Sequence, residues 1–157
     1  MIKLLDILEN KILVPRRSKE ERQKKYQIAL QKNIQQYIKD GSKGDLYLSN
    51  TPITSLPDNL EVGGDLSLRN TQIKELPNNL KVGGNLTLSN TQIEKLPDNL
   101  EVNRNLDLYN TQVKELPGSL EVGGSLYLKN TPLSKKYTKQ QIKDMVPRVE
   151  GQINYKL

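Results

Sequence analysis

The segment GGDLSLRNTQIKELPNNLKV, residues 63–82, is followed at once by GGNLTLSNTQIEKLPDNLEV, residues 83–102. The same twenty-residue pattern extends from residue 45 to residue 134, with copies opening at Asp45, Asp65, Asn85, Asn105 and Ser125. In every copy a Leu-x-Leu pair leads (Leu46/Leu48 to Leu126/Leu128), followed by an Asn-Thr pair (Asn50 to Asn130) and then Ile53, Ile73, Ile93, Val113 or Leu133. A Leu-Pro pair (Leu56, Leu76, Leu96, Leu116), a second leucine (Leu60 to Leu120) and a valine (Val62 to Val122) complete four of the copies. Strict internal repetition at a period of 20–50 residues is the signature of a solenoid. The half-dozen apolar side chains of one copy cannot offset the backbone entropy of ordering twenty residues, so the copies must stack and share one core.

Each piece of the copy has a local reading. Leu-x-Leu is a short strand by its period of two, with the leucines inward and the residues before, between and after them outward. Thr51, Thr71, Thr91, Thr111 and Thr131 then turn inward, each with a hydroxyl free to bond turn backbone. The Asn before each Thr suits a turn, because asparagine tolerates left-handed φ. Leu-Pro prevents a regular helix, so the return is expected to be extended or a tight 3₁₀ turn. The Gly63-Gly64 type of pair re-enters the strand. One copy has Asn103-Arg104 instead. That exchange suggests that the first position needs positive φ and the second does not.

The string L-x-L-x-N-T-x-I with L-P-x-x-L resembles the leucine-rich repeat family. Its short Leu-Pro form is similar to the repeats of secreted bacterial effectors, and LPDNLEVGGDLSLRNTQI is closer still to repeat proteins encoded by bacteriophages and large viruses. The likeness covers residues 45–134. It implies a leucine-rich-repeat-like solenoid with parallel strands stacked on one face. Thr stands where the family usually has Asn, and a valine with a Gly pair precedes the strand, so the opposite side is expected to be more β-like than helical. Some effectors of this type carry a ubiquitin ligase domain built around a catalytic cysteine. This chain has no cysteine, and that activity does not carry over.

The ends read differently. Residues 1–44 are expected to form a helical N-terminal cap, with Ile2, Leu4, Leu5, Leu8 and Ile12 on one helical face, a break at Pro15, and a capping box from Ser18 to Glu21. Tyr26, Leu30, Ile34, Tyr37 and Ile38 follow at helical spacing, ending near Asp40-Gly41. Residues 135–157 are expected to form a C-terminal cap. In it a short helix is capped by Thr138, and a sixth strand at Gln152–Tyr155 sits 27 residues after the fifth, Ile153 answering Leu126.

Composition narrows the chemistry. The 157 residues contain no Cys, His, Trp or Phe, which removes thiolate nucleophiles, the commonest general base and the commonest metal ligand. No base–nucleophile or acid–base pair emerges, no G-x-x-x-x-G-K-[ST] accompanies the glycines, and neither cofactor nor metal is expected; a non-enzymatic protein is. No apolar run approaches a membrane span. The N-terminal segment carries Lys3, Asp6, Glu9 and Lys11 and lacks a cleavage site, so a cytoplasmic protein is expected, in the host cytoplasm if phage-encoded. The net charge of +6 is uneven: residues 1–44 hold 11 basic and 5 acidic side chains, residues 45–134 hold 7 and 11, and residues 135–157 hold 6 and 2.

Function is expected on the outward strand positions, which vary while the inward ones do not. Three of the seven tyrosines, Tyr47, Tyr109 and Tyr127, fall there. Tyrosine is favoured in recognition surfaces, and the concave face of a solenoid is where such folds usually bind. The candidate site is therefore Tyr47, Arg69, Asp107, Tyr109, Tyr127 and Lys129, reading a protein partner. The phage-like resemblance implies a host target, a defence component among them, or else a structural part of a virion. Nucleic acid is the other reading, gripped by a basic patch of Arg16, Arg17, Lys19, Arg22, Lys24 and Lys25 and by the basic C-terminal cap.

Overall fold

The computed structural model describes residues 18–155. Helix α1 (Lys19–Lys39) comes first, then ten short strands: β1 (Leu46–Tyr47), β2 (Glu61–Val62), β3 (Leu66–Ser67), β4 (Lys81–Val82), β5 (Leu86–Thr87), β6 (Glu101–Val102), β7 (Leu106–Asp107), β8 (Glu121–Val122), β9 (Leu126–Tyr127) and β10 (Ile153–Asn154). Between β9 and β10 lie α2 (Pro132–Lys136) and α3 (Lys139–Met145). The expected helix at residues 2–12 and the break at Pro15 lie outside the described residues.

The strands form two parallel sheets, one per side of a leucine-rich-repeat-like solenoid. Leu-x-Leu strands stack in the order β1-β3-β5-β7-β9-β10, and Glu-Val type strands in the order β2-β4-β6-β8. The opposite side is thus β-like, as the valine and glycine pair suggested. Each coil aligns with the next at an offset of twenty, Leu66 beside Leu86 and Val82 beside Val102. The final pairing sets Ile153 beside Leu126, the 27-residue step read from the sequence. Leu66, Leu68, Ile73, Leu80 and Val82, with their counterparts in the following coils, are buried in one continuous core.

Three side-chain devices hold the turns. Asn50, Asn70, Asn90, Asn110 and Asn130 all adopt left-handed backbone, with φ from 54° to 61°. Their amides form a ladder, Asn70 donating to Asn50 at 2.8 Å, Asn90 to Asn70 at 2.8 Å and Asn110 to Asn90 at 2.9 Å. Each following threonine turns inward and donates its hydroxyl to the carbonyl three residues back, Thr91 to Leu88 at 2.7 Å for instance, so the buried oxygen is satisfied. At strand entry, Asp45, Asp65, Asn85 and Asn105 each accept the backbone N–H of the residue twenty positions later. These outward positions are therefore part of the frame and not a free surface.

The glycine pairs work differently from the sequence expectation. Neither member has positive φ. Both are favoured by close approach: a Cβ on Gly83 would lie 2.4 Å from the Gly63 carbonyl oxygen, and one on Gly84 would lie 2.1 Å from Asp65 Oδ1 and 2.7 Å from the Gly64 carbonyl carbon. Where Arg104 stands at the second position, its N–H reaches the Gly84 carbonyl at 3.2 Å, against 2.9 Å for Gly84 to Gly64, so the coil yields by a few tenths of an ångström.

The ends are closed by helices. Ser18 and Glu21 form the expected capping box, and Leu30 and Ile34 are buried against the first coil with Tyr37 beside them. Gln31 donates to the Ser55 carbonyl at 3.1 Å, and Gln27 donates to Pro52. Tyr26 and Ile38, expected on the buried face, are exposed. At those turns the coil is met instead by Gln27, which bonds Pro52, and by Tyr37, whose hydroxyl bonds the Ser42 and Gly44 carbonyls. At the other end Thr138 caps α3 as expected, while α2 was not foreseen. Thr131 and Ser134 close a capping box around Pro132 there, and no Leu-Pro pair follows to forbid a helical turn.

Candidate site on the outward face of the six-stranded sheet

The outward side chains of the large sheet beyond strand entry run in two rows. One is Tyr47, Ser67, Thr87, Asp107 and Tyr127, and the other is Ser49, Arg69, Ser89, Tyr109 and Lys129. Side chains lean diagonally toward the next coil, so residue pairs 18 apart meet. Ser49 and Ser67 hydroxyls lie 2.6 Å apart, and Ser89 donates to Asp107. By the same diagonal Tyr109 leads to Tyr127, and the two rings border one cleft.

That cleft has a volume of about 320 Å³ and is lined by Asp107, Tyr109, Tyr127, Lys129 and Asn154. Four of the six residues picked out in the sequence are therefore brought together. The other two are not. Arg69 is exposed two coils before Asp107, about 10 Å along the stack, and Tyr47 lies four coils from Tyr127, about 19 Å. Asn154 was missed as a site residue, although the 27-residue step that places β10 beside β9 also places Asn154 beside Tyr127.

Within the cleft the carboxylate is fixed. Asp107 Oδ1 accepts the Tyr109 N–H at 2.8 Å and Oδ2 accepts the Ser89 hydroxyl. Tyr109 is held at its far end too, its hydroxyl accepting from Asn130 Nδ2 at 3.4 Å. Tyr109 and Tyr127 are 38% and 40% exposed, against 67% for Tyr47, so the paired rings are walls of a recess while Tyr47 stands free. Tyr47 donates to Asp45 Oδ2 at 2.9 Å. The Asp65 N–H and then this hydroxyl hold the Asp45 carboxyl below its usual range, and the same bond raises the Tyr47 phenol.

The basic patch is only partly in view. Lys19, Arg22, Lys24 and Lys25 are exposed on the first turns of α1, and Arg16 and Arg17 lie outside the described residues. None of the four enters an ion pair found among the described residues. No helix among those residues is long and apolar enough to cross a membrane.

Comparisons of the chain with protein-family models, with curated proteins and with solved structures find no match.

Proposed function

We propose that this protein is a non-enzymatic recognition module that binds a protein partner through the outward face of its six-stranded sheet, at the cleft between Tyr109 and Tyr127. The observation that carries this reading is the recess itself. It has two tyrosine walls, a fixed carboxylate and a lysine, beside strand-entry positions that are taken up by stacking. Tyrosine offers large contact area and a hydroxyl at low entropic cost, as recognition surfaces need. The resemblance of the repeats to the leucine-rich repeat family, in its short Leu-Pro form, supports the reading. The likeness of the repeats to those of phages and large viruses extends the reading to a host protein as target, a defence component among them, with a structural place in a virion as the other protein-binding role.

The test is capture from lysate of the source cells or their host, with nuclease added, comparing wild type with Tyr47→Ala/Tyr109→Ala/Tyr127→Ala. A protein retained by the wild type and lost by the folded triple variant supports the reading. Retention by both moves the site off this face. Loss of all captured material on nuclease treatment favours nucleic acid on the basic end of α1, where Lys19, Arg22, Lys24 and Lys25 are unpaired by any carboxylate among the described residues.

A further inference from the structure

Asp107 is the unusual member of its row. The equivalent residues are Tyr47, Ser67, Thr87 and Tyr127, so the coil geometry does not demand a carboxylate there. The carboxylates at strand entry, Asp45 and Asp65, each accept the backbone N–H of the next coil. Asp107 does not share that duty. Its two hydrogen-bond donors, the Tyr109 N–H and the Ser89 hydroxyl, are both uncharged. No cation lies within ion-pair distance of it among the described residues, and that includes Lys129 on the rim of the same cleft. A half-buried carboxylate held rigid by neutral donors, with no counter-ion, is set to receive one.

We propose that the cleft between Tyr109 and Tyr127 seats the guanidinium of an arginine side chain on the bound protein, with Asp107 as its counter-ion. This rests on the reading of the face as a recognition surface. Each Asp107 oxygen has one acceptor direction used and one left, which matches the two parallel donors of a guanidinium fork. The flanking phenol rings offer faces on which a planar, weakly hydrated cation stacks; an ammonium, more strongly hydrated and not planar, suits them less. A volume of about 320 Å³, at the lower end for ligand pockets, fits one long side chain. Lys129 is the discriminating neighbour. Its flexible ammonium would be the primary contact if the ligand were an anion instead.

The test is an NMR titration of the ¹⁵N-labelled protein with N-acetyl-arginine amide, beside N-acetyl-citrulline amide, which has the same shape without charge, and N-acetyl-glutamate amide. Arginine is expected to give saturable shifts at the amides of Asp107, Tyr109, Tyr127, Lys129 and Asn154, with a Kd on the order of 1–10 mM that weakens with added salt. Asp107→Asn keeps an oxygen for the Tyr109 N–H and is expected to stay folded by its spectrum, with affinity for arginine down by about 10-fold. Equal shifts with citrulline, shifts with glutamate in place of arginine, or no shifts at these amides overturn the proposal. If arginine fails here while the triple tyrosine variant still loses a captured protein, the guanidinium seat falls and the recognition face stands. If both fail, the face itself is wrong.

Discussion

Asn130 Nδ2 points at the Tyr109 hydroxyl, 3.4 Å away, where the three preceding coils would have it bond the asparagine of the coil before. The asparagine ladder of the frame thus ends on a wall of the cleft. Tyr109 is tied at its hydroxyl to one coil and at its N–H to Asp107, which prepays part of the ordering cost that binding would otherwise incur.

The hydroxyl contact is long and exposed. Tyr109→Phe is therefore expected to move the unfolding free energy by less than about 0.5 kcal/mol in urea titrations and to retain partner capture. Tyr109→Ala, equally folded, is expected to lose capture, because the wall of the cleft is gone. Loss of capture in the Phe variant would instead make the hydroxyl the contact.

The glycine corners give a paired test. Gly84→Ala places a Cβ 2.1 Å from Asp65 Oδ1 and 2.7 Å from the Gly64 carbonyl carbon, backbone that moves aside only by widening the step between two coils, as it does at Arg104. A loss of about 1–3 kcal/mol is expected from urea midpoints, since the Arg104 corner shows that the coils yield only slightly. Gly118 has no atom within 4 Å of an added Cβ and no positive φ, so Gly118→Ala is expected to gain roughly 0.4–1 kcal/mol through the unfolded chain.

At Asn90 two effects can be separated. Asn90 has φ 60° and sits mid-ladder, bonded to Asn70 and Asn110. Asn90→Gly keeps the backbone and removes the two side-chain bonds, at a cost of about 1–2 kcal/mol. Asn90→Ala adds left-handed strain and is expected to be less stable than Asn90→Gly by about 1 kcal/mol. Equal stability of the two would show that the ladder matters and the φ does not.

Charges on the exposed turns change sign from coil to coil: Lys74, Glu94, Lys114 in one row and Glu75, Lys95, Glu115 beside it. Glu94 and Lys114 meet at 2.6 Å, and Lys95 and Glu115 at 3.1 Å. The hydrogen bond from Lys114 holds the Glu94 carboxyl below its ordinary value. A carboxyl so lowered stabilises the fold while ionised, above its unfolded pKa, and that stabilisation is lost as pH falls through the lower folded value. Lys114→Gln is expected to flatten the fall of the urea midpoint below about pH 4.5, a window set by the ordinary glutamate pKa. An unchanged acid limb in that variant would mean the pair contributes nothing.

The site was less legible than the frame, for a reason visible in particular residues. Asp107, Tyr109, Tyr127 and Lys129 could be read as outward because a period of two fixes side. Which of the outward residues enclose a recess depends on the diagonal lean that joins positions 18 apart, and a twenty-residue alignment does not show it. Tyr47 fits the same pattern as Tyr127 and stands free, because β1 is the edge strand and no earlier coil supplies a residue 18 positions before it, as Tyr109 does for Tyr127. The Gly63-Gly64 corner was misjudged on similar grounds. Glycine is compatible with positive φ and with close approach alike, and only the distance between stacked backbones separates the two.

What the sequence by itself determined was the solenoid, its offset of twenty, the inward leucines and threonines, and the 27-residue step that returns Ile153 to Leu126. Those follow from local periodicity and from the inability of one copy to bury its own core. Tertiary structure alone decided that the glycine corners answer close approach and not positive φ, that the strand-entry residues Asp45 to Asn105 are spent on the next coil's backbone, and that Asp107 is left with no cation beside two tyrosine rings. Each of these depends on how one coil is set against the next, and that fit is a property of backbones a few ångströms apart in space.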